Sequence, residues 1–129
     1  MRDSVNFTRA QNVEDARRLG LMLETMVRCA KPIVSCVHGA AIGGALGLLG
    51  ASDYVLMADD THCAFSEVKR GLVPAVTAPY VLRKLLPGDA TALFVTGERF
   101  DAQRAAEHAG SPRHEQPQRP LPCVEARAV

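Results

Sequence analysis

Apolar residues change their spacing several times along this chain, and each change marks an element. In the first third they recur at helical intervals, as Ala16, Leu19, Leu23, Met26, Val27 and Ala30, while Glu14, Arg17, Arg18, Glu24 and Arg28 fall on the other side. That pattern predicts an amphipathic helix with a solvated polar face. Asn12 reads as its N-cap with Asp15 at the third helical position, and Pro32 closes it by biasing Lys31 away from helical geometry. Residues 33–37, IVSCV, then turn β-branched, as a strand requires. Residues 54–58, YVLMA, are fully apolar between Asp53 and the pair Asp59-Asp60, which predicts a strand buried on both faces, and residues 62–65 read as a shorter one. Gly71 and Pro74 predict a turn, and residues 80–86 a helix ended by Pro87-Gly88. Asp89 and Asp101 are read as caps of two last helices, stopped by Gly97 and Gly110. Strands separated by helix-sized segments argue for an α/β layered core, although no repeat is evident.

Between the first two strands lies the densest feature of the chain. Residues 39–50, GAAIGGALGLLG, hold five of its ten glycines. Lying between the strand-like residues 33–37 and a possible helix 45–51, it is read as the tight turn that joins that strand to a helix N-terminus, with unpaired backbone N–H groups and the positive end of the helix dipole facing whatever lies in front. The uncharged stretch 33–52 also contains GxxxG twice and is about the length of a minimal membrane-spanning helix. Its alternating, β-branched start and its five glycines favour the strand-turn-helix reading.

Composition narrows the function classes. With 129 residues the chain makes one domain at most, and 47% hydrophobic with 22% charged residues are ordinary globular values. A net charge of +1 argues against electrostatic binding to nucleic acid or to a membrane surface. Cys29, Cys36, Cys63 and Cys123 form no CxxC pair and have no histidine at metal-ligand spacing, so they read as reduced cytoplasmic thiols, with no metal site. Glu67, in FSEVKRGLVP, is either an exposed loop charge or a partly buried carboxylate at a strand end. From Ser111 the chain holds four of its eight prolines, few large apolar residues and no period, so residues 111–129 are expected to be a disordered tail.

The ordered blocks KPIVSCVHGAAIGGALGLLGASDYVLMADD, AFSEVKRGLVPAV and LFVTGERFDAQRAAEHAG closely resemble the crotonase superfamily, the enoyl-CoA hydratases and isomerases. The similarity covers residues 1–110, and GALGL with SEVKRGLVPAV is most similar to methylglutaconyl-CoA hydratase-type members. The resemblance implies a crotonase-like, Clp-type ββα spiral. It also implies a lyase of fatty acid or branched-chain amino acid catabolism, acting on an acyl-CoA thioester through an enolate held at an oxyanion hole. Coenzyme A is then part of the substrate, no separate cofactor is expected, and the assembly is a homotrimer or hexamer.

By motif position the Gly44 N–H is the oxyanion donor, Glu67 the catalytic acid/base, and Ala40, Ile42, Gly43 and Gly44 the substrate-binding residues. Many family hydratases place another glutamate where this chain has Gly47, which cannot do proton chemistry. Asp53 matches a structural strand-start aspartate. The partner oxyanion N–H of the family falls in a GADL-like segment that would precede Met1, and the resemblance stops at Gly110. The chain is therefore expected to be a fragment truncated at both ends, with residues 111–129 an aberrant tail. An inactive piece that only binds acyl-CoA or associates with full-length relatives is the alternative. A Clp-type serine peptidase is disfavoured, since the turn offers no serine nucleophile.

Overall fold

A computed structural model describes residues 8–109. Helix α1 (Arg9–Val27) opens with a capping box rather than at Asn12. The Thr8 side chain accepts the Gln11 N–H, and the Gln11 side chain accepts the Thr8 N–H. Thr8-x-x-Gln11 is a reciprocal capping signature that the apolar spacing, starting later, does not reveal. The helix stops at Val27, before the expected Ala30. Leu23 is its one fully covered side chain, seated on helix α2 (Gly44–Ala51). Ala16, Leu19 and Met26 are half-buried beside it, as their spacing predicts, whereas Val27 and Ala30 are exposed; Val13, Leu21 and Met22, outside that stripe, face solvent.

Strands β1 (Val34–Val37) and β3 (Tyr54–Met57) pair in parallel, Val34 opposite Tyr54 and Val37 opposite Met57. Strands β2 (Ala40–Ile42) and β4 (His62–Ala64) form a second parallel pair, and β5 (Arg99–Asp101) joins β4 antiparallel. Successive β-β-α units thus step sideways together: the first strand of each unit enters one sheet, the second enters the other, and a helix leads to the next unit. The corners are tied to each other. The Ala58 N–H and the Thr61 hydroxyl both donate to the Val37 carbonyl, and the His62 N–H donates to the Gly39 carbonyl at 2.7 Å. Asp53 has the expected structural role, its carboxylate accepting the Ile33 N–H at 2.8 Å where β1 and β3 begin.

Strand β3 is not buried on both faces. Tyr54 is exposed and Val55, Leu56 and Met57 are half-buried, because among the described residues β3 has β1 as its only neighbour. The predicted helix 80–86 is a single helical turn, α3 (Ala78–Val81), continued by turns. Helix α4 (Pro87–Thr96) starts at Pro87, with Asp89 in its first turn and not at its cap. Proline without an N–H suits a first helical position. Helix α5 (Ala102–His108) is capped by Asp101 as expected, the carboxylate accepting the Arg104 N–H at 2.8 Å. The stretch 33–52 is two strands and a helix, and no described helix is long and apolar enough to cross a membrane. Gly110 and the expected tail lie outside the described residues.

The core gathers Ala41, Leu46, Cys63, Phe65, Val81, Leu93 and Phe100 between the second sheet and the helices. Phe65 sits at its centre, its ring edge-on to Phe94 at 4.6 Å and stacked on Phe100 at 6.1 Å. Such pairs contribute about 0.5–1.5 kcal/mol beyond area burial. Beside it, Cys63 is fully covered, and burial pushes its thiol up to about 11.

Two outcomes follow for the thiols. Iodoacetamide at pH 8 will modify exposed Cys29 and Cys36 in the native protein and Cys63 only after denaturation, as read by peptide mass spectrometry. Because folding holds Cys63 protonated, its contribution to stability is intact below the unfolded thiol pKa of about 9 and declines as pH rises toward about 11. Urea titrations of wild type and Cys63→Ala will show that extra decline in wild type alone.

Candidate active site

The glycine-rich segment folds into a corner that feeds a helix. The chain leaves β2 at Gly43, whose φ of 59° and ψ of −120° lie where a side chain is strained, and α2 begins at Gly44, one residue before the expected Ala45. The Gly43 N–H donates to the Ala64 carbonyl at 2.9 Å, joining this corner to the end of β4. As the first helical residue, Gly44 has no intrahelical acceptor for its N–H, and no described residue accepts it. That N–H therefore stands at the positive end of the α2 dipole, free to bind an anion.

Glu67 arrives from the other side of the Gly43–Ala64 bond. It follows buried Phe65 and begins the 3-10 turn Val68–Arg70, its carbonyl accepting the Arg70 and Leu72 N–H groups. The carboxylate points back at the glycine corner. A Cβ built on Gly43 would stand 3.4 Å from Glu67 Oε1 and 3.6 Å from Ser66 Oγ. Glu67 Oε2 is buried and has no hydrogen-bond partner among the described residues. A buried, unsatisfied carboxylate oxygen is unfavourable by itself and is an available proton acceptor. Of the two readings open at this position, the structure selects the partly buried carboxylate.

Gly43, Gly44 and Glu67 are thus brought together. Ala40 and Ile42 point elsewhere, lining with His62, Ala64 and Arg99 a hollow of about 90 Å³ on the second sheet. A larger cleft of about 790 Å³ opens between α2, β3, the segment after α3, and α5. Size would favour it as the site. It contains neither Glu67 nor Gly44, which gather at the glycine corner instead.

Position 47 is closed by packing. A Cβ there would meet Thr77 Cγ2 at 2.6 Å and Leu23 Cδ1 at 3.2 Å, so α2 lies against α1 and Thr77 through a bare backbone. Thr77 is buried and its hydroxyl donates to the Pro74 carbonyl at 3.3 Å. The sequence reading found no carboxylate at 47 but missed Thr77, because residues thirty apart in the chain carry no local sign of contact.

A family model described as enoyl-CoA hydratase/isomerase matches residues 9–128. The chain belongs to that family. This enoyl-CoA hydratase/isomerase family member is similar to the carnitinyl-CoA dehydratase of Citrobacter koseri, at 38% identity over 76 residues, 58% of this chain and 29% of that protein. It is also similar to the (7aS)-7a-methyl-1,5-dioxo-2,3,5,6,7,7a-hexahydro-1H-indene-carboxyl-CoA hydrolase of Mycobacterium tuberculosis, at 36% over 84 residues, 64% of this chain and 32% of that protein. Among solved structures, an enoyl-CoA hydratase of Shewanella pealeana aligns with a TM-score of 0.80 and 40% identity, over 84% of this chain and 41% of that one. An enoyl-CoA hydratase/isomerase (crotonase) of Legionella pneumophila aligns equally well, over 84% and 42%. The ββα architecture is therefore the crotonase fold. The chain spans about a third of the curated relatives' length and about two fifths of the solved ones.

The closed position 47 yields a direct test. Gly47→Ala will lower stability by about 1–3 kcal/mol through overpacking. Adding Thr77→Ser, which deletes the methyl at 2.6 Å, will recover part of that loss in urea titrations.

Proposed function

We propose that this chain carries the enolate-handling half-site of an enoyl-CoA hydratase/isomerase acting on an acyl-CoA thioester. The observation that carries the reading is the juxtaposition at one corner of a free helix-start N–H on Gly44 and the Glu67 carboxylate, whose Oε2 is buried and without a partner among the described residues. The thioester carbonyl oxygen accepts the Gly44 N–H as negative charge moves onto it from the α-carbon. The dipole of α2 supports that charge. A donor of this kind contributes about 3 kcal/mol to transition-state stabilisation.

Glu67 handles the proton. In isomerisation it removes a proton at one carbon and returns it at another. In hydration it takes a proton from water as the oxygen adds to the β-carbon, and delivers one to the α-carbon. With position 47 filled by packing, one carboxylate serves both steps. Gly43 and Gly44 are proposed to line the acyl-thioester path, Ala40 and Ile42 facing the hollow on the second sheet instead, and coenzyme A enters as part of the substrate. The likeness of GALGL and SEVKRGLVPAV to methylglutaconyl-CoA hydratase-type members supports a branched enoyl-CoA. The Citrobacter koseri dehydratase and the Mycobacterium tuberculosis hydrolase each act on a CoA-linked substrate, which supports the thioester class. A family-like trimer or hexamer is proposed from the resemblance.

Two substitutions test this reading. Glu67→Gln will abolish the loss of conjugated enoyl-thioester absorbance while leaving the far-ultraviolet spectrum unchanged; an unaltered rate excludes Glu67 as the acid/base. Gly44→Pro removes the N–H at a helix position where proline is tolerated. It will reduce turnover by about 10²-fold with the helix retained. Thioester binding without any turnover in wild type would assign the binding-only alternative.

A further inference from the structure

The segment that carries Glu67 is clasped by two glycines, of which only Gly43 belongs to the site described above. The other is Gly97, which closes α4 with a φ of 58°. A Cβ on Gly97 would stand 2.6 Å from Val68 Cγ1, 3.0 Å from the Phe65 carbonyl oxygen and 3.5 Å from Lys69 Cε. The residues on either side of Ser66-Glu67 therefore rest against the bare Cα of Gly97, while Ser66 Oγ and Glu67 Oε1 face Gly43.

We propose that Gly97 is a positioning residue for Glu67: its missing side chain sets how deeply residues 65–68 sit, and so where the carboxylate stands relative to the Gly44 N–H. The inference rests on the acid/base reading of Glu67. Helix termination alone does not account for this glycine, since an asparagine also accepts left-handed backbone. The space is a separate requirement. Ordinary carbon contacts lie at about 3.5–4.0 Å, so an added Cβ at 2.6 Å pushes its neighbour by about 1 Å. The Phe65 ring is packed edge-on against Phe94 of the same helix, which leaves the segment little room to yield inward. A misplacement of about 1 Å at a catalytic group lowers rate by about 10²-fold.

The test compares Gly97→Ala, Gly97→Asn, Val68→Ala and the Gly97→Ala/Val68→Ala pair in the full chain. The probes are the ¹³C resonance of the Glu67 carboxyl, assigned by its loss in Glu67→Gln, and the Gly43 and Gly44 amide resonances. Both alanine and asparagine at 97 are expected to move these resonances. Val68→Ala will return them most of the way, leaving the residual displacement from the Phe65 carbonyl. With an enoyl-CoA substrate, kcat is expected to fall by about 10–10²-fold with KM nearly unchanged.

Wild-type resonances in Gly97→Asn, or a lowered melting temperature in Gly97→Ala with the resonances in place, overturn the proposal. Should Gly97→Ala fail to fold, the double variant is compared with Val68→Ala, and coincident spectra overturn it. Turnover indifferent to Glu67→Gln would refute the acid/base reading separately, because the resonance shifts do not depend on turnover.

Discussion

One backbone hydrogen bond, from the Gly43 N–H to the Ala64 carbonyl, holds together what the rest of the molecule positions. It joins the turn that starts α2 to the end of β4. Gly44 and Glu67, far apart in sequence, are brought to one corner because Gly44 directly follows one partner of this bond and Glu67 lies three residues after the other. The parallel pairing of β2 with β4 brings the bond into register, and the ties from Val37 and Gly39 to residues 58–62 hold that register from behind. The site is a consequence of two β-β-α units stepping past each other by one strand.

Close packing then decides what chemistry the corner can hold. Helix α2 is almost without side-chain bulk where it meets its neighbours. Gly47 faces Thr77 and Leu23, and a Cβ on Gly50 would stand 2.8 Å from the backbone of Tyr80 and Val81. Glycine at 50 brings α2 nearly to backbone contact with α3, and glycine at 47 seats the Leu23 and Thr77 side chains against the bare backbone of α2, a gain in dispersion and burial that larger residues would forfeit. The same closeness leaves no room for a side chain at 47 unless Thr77 and Leu23 move aside.

Much of this was legible locally. The strands at residues 33–37 and 62–65, the Gly97 stop and the Asp101 cap are written in short-range chemistry: β-branched runs, a residue that tolerates left-handed backbone, a carboxylate that reaches a free N–H. The misplaced boundaries have equally local reasons. Asn12 has the chemistry of a cap and the apolar spacing begins after it, yet Thr8 and Gln11 satisfy each other one turn earlier. Asp89 has capping chemistry but sits inside a helix that Pro87 had already begun. The exposure of Tyr54 could not be read from YVLMA, since an apolar run does not state how many neighbours its strand has.

By itself, the sequence determined the first helix, three of the strands, the glycine-rich helix start and the family, because these depend on residue chemistry at fixed short spacings and on ordered motif blocks; the three-residue strands β2 and β5 carry no such signal. Residue chemistry leaves open whether Glu67 is an exposed loop charge or a partly buried carboxylate, and what fills the space at Gly47. Tertiary structure decided both. The stepped ββα units, invisible as a sequence repeat, bring the Glu67 carboxylate against the Gly43 corner and set Thr77 against Gly47. Contacts between residues distant in the chain depend on strand register and helix approach, and only the assembled fold specifies those.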